Sequence, residues 1–173
     1  MKGRNTMYII HELAPDSLET VKQHGLRAQA DGAKTHEDIA RTDKFLDEHR
    51  PERFVTAHIR RATSNYGYFT LHNSVIDIEN GVVYTFAQFI DKSTQAVLLI
   101  EANPTRCYVS DIDSFDEVKA ALQEGDTERA TELAENYWQN VVHVSEFQRG
   151  DIARPEVLLP YDIPASDITV LKQ

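Results

Sequence analysis

Between Ala130 and Val141 the side chains Ala130, Leu133, Ala134, Tyr137, Trp138 and Val141 recur at the spacing of one helix face, the most regular pattern in the chain. Such a stripe must be covered, and the segments around it are of another kind. Ala96–Ala102, Arg106–Ser110, Pro155–Pro160 and Ile168–Leu171 are short runs bracketed by proline and turn residues such as Asn103-Pro104, which is how strands read. Helices set irregularly among short strands, rather than alternating with them, predict an α+β domain with a mostly antiparallel or mixed sheet.

The remaining elements fit that frame. Thr6 to His11 reads as a strand, and Pro15 to Lys22 as a short helix with Leu18 and Val21 on one face, stopped by Gly25. Thr35 to His49 reads as a second helix with a thin apolar face, in which Ile39 and Leu46 stand seven apart and Pro51 closes the segment. From Phe54 to Phe89 β-branched and aromatic residues dominate, and Glu79-Asn80-Gly81 joins Val75–Ile78 to Val82–Phe86 as a hairpin. Ser114 with Glu117 reads as a capping box opening a helix to Gln123. No repeat and no Pro/Ser/Gly linker divides residues 1–173, so a single domain is expected.

Charge and residue counts narrow the chemistry. The net charge of −10 opposes tight binding of duplex nucleic acid or anionic lipid. It is uneven: Asp111 to Glu146 carries ten acidic residues against Lys119 and Arg129, whereas Arg50 to Arg61 carries four arginines against Glu52. The helices over 114–140 therefore offer an acidic face to a possible protein partner, and an anion would sit nearer the arginines. One cysteine, Cys107, excludes an internal disulfide and reads as a small apolar residue in a strand. Neither an export signal nor an apolar run of membrane-spanning length is visible, so a cytoplasmic protein is expected. The seven histidines are too far apart for a His-x-x-x-His site, so no metal is expected, and Walker, Gly-x-Gly-x-x-Gly and Gly-x-Ser-x-Gly motifs are missing.

What remains is an ordered, sparse pattern: His11 on the first strand, Gly25-Leu26-Arg27 after the following helix, Gly81 before Tyr84-Thr85-Phe86-Ala87, Asp91-Lys92-Ser93, and Glu156 in a late strand. In this order the residues resemble the ADP-ribosyltransferase superfamily, in its diphtheria-toxin and poly(ADP-ribose)-polymerase branch, whose site is a His, an aromatic and a Glu on three strands. The resemblance runs through Met7–Arg27, Gly81–Ala102 and Arg154–Lys172. It implies a split antiparallel or mixed β-sheet core with peripheral helices, and NAD as substrate. Glu156 and His11 would be the catalytic pair, with His11, Glu12, Arg27, Arg60, Tyr84, Phe86 and Ser93 contacting NAD.

The chemistry gives each residue type a reason. Leaving of nicotinamide develops positive charge on the ribose, which a nearby carboxylate stabilises, and Glu156 is the candidate. His11 would orient the ribose or carboxamide. Tyr84 or Phe86 could stack on the cationic nicotinamide, and Arg60, Arg61 or Arg27 could hold the pyrophosphate. Without a ligand, Arg60-Arg61 reads as a solvated edge. Two positions depart from the family pattern: no aromatic follows Ser93 before Tyr108, and Arg154 stands where arginine-modifying relatives carry an acid. The function expected is transfer of ADP-ribose to a macromolecular acceptor, a protein in preference to nucleic acid. The alternatives are an NAD glycohydrolase, a non-catalytic interaction module on the same fold, and a nucleic-acid-modifying relative. All the catalytic readings require His11 and Glu156 to meet around one dinucleotide pocket.

Overall fold

The computed structural model describes residues 6–28 and 37–173, so Thr35 and His36, at the start of the expected second helix, lie outside the described residues. The chain forms β1 (Met7–Leu13), a 3-10 turn at Pro15–Ser17, α1 (Leu18–His24), α2 (Glu37–Glu48), α3 (Glu52–Thr56), β2 (Asn65–Leu71) and a hairpin of β3 (Ser74–Ile76) and β4 (Val83–Thr85). Then follow α4 (Phe86–Lys92), β5 (Ala96–Ala102), β6 (Tyr108–Asp111), α5 (Ile112–Gln123), α6 (Thr127–Gln139), β7 (Val142–His143), β8 (Pro155–Leu159) and β9 (Ile168–Lys172). The strands form one sheet in the order β7-β6-β8-β2-β1-β5-β9, with the hairpin branching from β2. The pairings are antiparallel, which bears out the α+β reading.

Three local expectations are corrected. Phe54 does not begin a β region: Pro51 caps α3, and Phe54 is its buried residue. Phe86 does not end a strand: Thr85 accepts from the Gln88 amide while the Gln88 side chain accepts from the Thr85 amide, and this capping box starts α4. Asp111, not Ser114, caps α5, accepting from the Asp113 amide, while the Ser114 hydroxyl donates to Asp111 at 3.2 Å.

The two faces of the sheet are covered differently. On one face Ile9, Leu98, Ile100, Val157 and Leu159 pack beneath Leu18 and Val21 of α1, with Leu26 and Ile163 closing the cluster. The turn after α1 needs glycine twice over: Gly25 has φ of 75° and lies so close to the Ile163 carbonyl that no Cβ would fit. Leu26 and Ile163 then exchange backbone hydrogen bonds of 2.9 and 2.8 Å.

The other face carries two separate apolar bodies. The hairpin and α4 pack Val75 and Phe89 onto Ile10 and Val97, with Tyr68, Tyr84, Phe86 and Leu171 at the margin. Over β6 and β8 the four helices α2, α3, α5 and α6 enclose Leu46, Phe54, Phe115, Val118, Ala134, Tyr137, Trp138 and Val141. The α6 stripe is thus core, as its spacing predicts. Between these bodies the sheet carries a polar seam, where Glu156 of β8 and Ser110 of β6 are buried beside Tyr68 of β2.

Candidate functional site

Strand pairing decides which site residues can meet. Ile10 pairs with Tyr68, and Tyr68 pairs with Glu156, so these three project to the face bearing the helices and the hairpin. His11, one residue further along β1, projects to the other face, where it pairs with Leu98 of the α1-covered core. His11 and Glu156 therefore lie on opposite sides of the sheet, with β2 between their strands. The His–aromatic–Glu pocket expected from the sequence does not assemble around His11. Its Nδ1–H donates to the Tyr66 carbonyl at 2.5 Å, and β1 continues past it to Leu13. This is a structural contact that ties β1 to β2.

Burial pushes the His11 imidazole below its ordinary 6.5, opposed by the Tyr66 carbonyl and by Glu12. A group whose folded pKa is lowered binds its proton more readily in the unfolded chain. The native state is thus disfavoured as pH falls below 6.5, and the contribution is fully present above it. In His11→Gln this part of the acid-side slope in a urea-midpoint-against-pH series is expected to vanish, with any NAD-directed activity unchanged within about twofold.

Glu156 sits in a buried ionic cluster. Arg61 Nη1 donates to Glu156 Oε1 at 3.0 Å and to the Tyr137 hydroxyl at 2.6 Å, and Arg61 Nε donates to Asp43 Oδ1 at 2.7 Å. The guanidinium lies over Phe115, Tyr66 and Tyr137 at 4.4, 4.9 and 5.5 Å from the ring centres. Tyr66 donates to the Arg61 carbonyl and lies 3.2 Å from Asp43 Oδ2. Asp47 fixes the backbone of the same loop, accepting from the Arg61 amide at 2.7 Å and the Ala62 amide at 3.0 Å. Ser110, directly opposite Glu156 on β6, is buried with it.

The electrostatics follow from burial. Desolvation pushes the Glu156 carboxyl above its usual range, and the Arg61 charge opposes that shift. Burial alone would lower Arg61, yet Tyr137, Glu156, Tyr66 and Asp43 around it hold it well above its ordinary value. Tyr137 is pushed up to about 12 by burial and stays a neutral hydroxyl. Two buried carboxyl groups, Asp43 and Glu156, thus share one guanidinium.

Next to this cluster on the same face is a further carboxylate, Glu12. Glu12 accepts from the Tyr68 hydroxyl at 2.5 Å and from the Ser93 hydroxyl at 2.5 Å, and Tyr68 is the cross-strand neighbour of Glu156. The structure therefore brings Glu12, Ser93 and Glu156 onto one face. Tyr84 and Phe86 are partly buried against the hairpin core, with Lys92 Nζ 5.1 Å over the Tyr84 ring and paired to Asp77 at 3.3 Å. Arg27 and Arg60 are both exposed, outside the buried cluster. Arg61, whose neighbour Arg60 does fit the solvated reading, is 2% exposed and corrects that reading for itself. Cys107 is buried, its thiol pushed up to about 11 by burial, as a small apolar residue would be.

Asp43 and Tyr137 were not singled out from the sequence as site residues. A signal for Asp43 exists: it stands one turn before Leu46, on the buried side of α2 with Thr42, where a carboxylate needs a buried partner, whereas Ile39 of the expected apolar face is exposed. Among the described residues no group of three His, Cys, Asp or Glu could hold a metal, and no helix is long and apolar enough to cross a membrane. A cavity of about 330 Å³ near the β7 edge, lined by Arg53, Phe54, Tyr108, His143 and Glu146, includes none of the expected site residues. No family model, curated protein or solved structure matches the chain.

Proposed function

We propose that this chain cleaves the nicotinamide–ribose bond of NAD and passes ADP-ribose to an acceptor, with Glu156 rather than the His11–Glu156 pair as its reactive centre. The observation that carries the reading is the Glu156 carboxylate buried on a central strand and fixed by Arg61 at 3.0 Å. In the reaction the C1′–N bond breaks, its electron pair goes to the pyridine nitrogen and neutral nicotinamide leaves. The ribose is left oxocarbenium-like, and a fixed carboxylate in a dry site stabilises that charge without reorganising. The acceptor's nucleophile then bonds to C1′ and gives up its proton to solvent.

Within this proposal Tyr68, Glu12 and Ser93 supply the adjoining polar surface for the ribose. The net charge of −10 favours a protein acceptor over nucleic acid, and water in its place makes the enzyme a glycohydrolase. The ADP-ribosyltransferase-like reading of the sheet belongs to the same proposal.

A second reading has an observation of its own. Arg61 is satisfied within the protein by Asp43, Glu156 and Tyr137, as a structural ion cluster would be, and the scaffold would then be an interaction module. Incubation with NAD separates the two. The proposal expects free nicotinamide by chromatography, in proportion to enzyme and time. Nicotinamide no higher than in a protein-free control, across pH 5 to about 9 and with protein acceptors present, leaves the interaction module standing.

A further inference from the structure

We infer that Arg154 is a positioning residue that sets the width of the seam above Glu156. Its kinetic consequence rests on the NAD-cleaving reading, whereas its mechanical consequence does not. The seam separates two apolar bodies that belong to different core clusters, the hairpin with α4 on one side and the helical layer on the other. Arg154 stands just before β8, two residues ahead of Glu156, and its side chain contacts the hairpin loop and α5.

One guanidinium reaches both bodies. Nε donates to the Ile78 carbonyl in the hairpin loop at 2.5 Å. Nη1 donates to Asp113 Oδ1 at 2.8 Å and to Asp116 Oδ2 at 3.0 Å, both in the first turns of α5. The backbone supports the same junction. The Ile112 amide at the start of α5 donates to the Arg154 carbonyl at 3.2 Å. On the hairpin side, Gly81 at φ 74° approaches Ala153 so closely that a Cβ would lie 3.1 Å from its carbonyl oxygen.

The planar fork of arginine matters here, because three acceptors from two elements must be met from fixed directions. Lysine offers a single charge on a flexible stem and cannot span them all. The clasp is partly exposed, so its role is geometric and its loss leaves the apolar bodies intact.

The test combines amide hydrogen exchange with nicotinamide-release kinetics on wild type, Arg154→Ala and Arg154→Lys. The reporters are the hairpin amides of Asp77 and Gly81, which donate to Val82 and Asp77 carbonyls at 2.9 and 2.7 Å. Expected for Arg154→Ala is exchange about tenfold faster at residues 77–85 and 112–116, with β5 unchanged. The kinetics should show kcat/KM lower by about tenfold, carried mainly by KM, with the acid limb of the pH profile kept. Arg154→Lys should recover only part of either effect. Exchange unchanged in the hairpin, or raised equally throughout, overturns the clasp, as does full recovery by lysine. Should wild type release no nicotinamide, the NAD reading fails on its own, and exchange alone then decides the clasp.

Discussion

Glu156→Gln is expected to lower nicotinamide release by about 10²–10³-fold, the range seen when one preorganised electrostatic contact to a developing charge is removed. The substitution keeps the shape and an oxygen for Arg61, but removes the charge that would face the oxocarbenium-like ribose. Asp43 still neutralises Arg61 at 2.7 Å, so the cluster remains assembled and the loss falls on kcat. The pH profile gives an independent sign. Only ionised Glu156 stabilises the cation, and burial raises its pKa, so the acid limb of wild-type release lies above 4.5. Release by Glu156→Gln within about threefold of wild type would remove the carboxylate from the mechanism.

Arg61→Leu is expected to cost about 3–5 kcal/mol of folding stability, because it strands two buried carboxylates that share one guanidinium. The substitution also removes the donor to Tyr137 and the cation packed against Phe115. Protonation offsets part of the penalty. Glu156 without its counter-charge rises further, so this variant's folded state gains relative stability as pH falls through that raised value. Urea denaturation at pH 7 and near pH 5 measures both effects. A midpoint shift worth less than about 1 kcal/mol at pH 7 would mean that the pair is solvated and that the seam is not a low-dielectric site.

Much of the fold could be read locally. The α6 stripe, the Ala96–Ala102 strand and the Gly25 stop each depend on residues close in sequence, and all three stand in the structure. Phe86 shows where composition misled: aromatic and β-branched neighbours suggested a strand, but Thr85 and Gln88 form a capping box that composition does not report. Asp111 outcompeted Ser114 as a cap because it lies at the strand–helix junction itself.

The site was legible one residue at a time and not as an arrangement. Whether His11 and Glu156 share a face depends on the number of strands between β1 and β8 and on the register of each pairing. A single-residue slip reverses the answer. Nothing local to either residue encodes that β2 intervenes, with Tyr68 opposite both Ile10 and Glu156. Arg61 was hidden for a related reason. Its partners Asp43, Tyr137 and Glu156 stand 18, 76 and 95 residues away, so the run Arg60-Arg61 looked like surface until helices and strand converged on it. The two adjacent arginines differ because β2 starts soon after them and the Asp47 carboxylate fixes the loop that turns Arg61 inward.

The central claim is that nicotinamide leaves NAD in the polar seam above Glu156, and the most direct measurement is a two-dimensional NMR titration of the Glu156→Gln protein with NAD. Saturable shifts are expected at Tyr66, Tyr68, Glu12 and Ser93, with the α1-covered face around His11, Leu18 and Val21 silent. Shifts confined to that opposite face, or none at any site up to millimolar NAD, would contradict it.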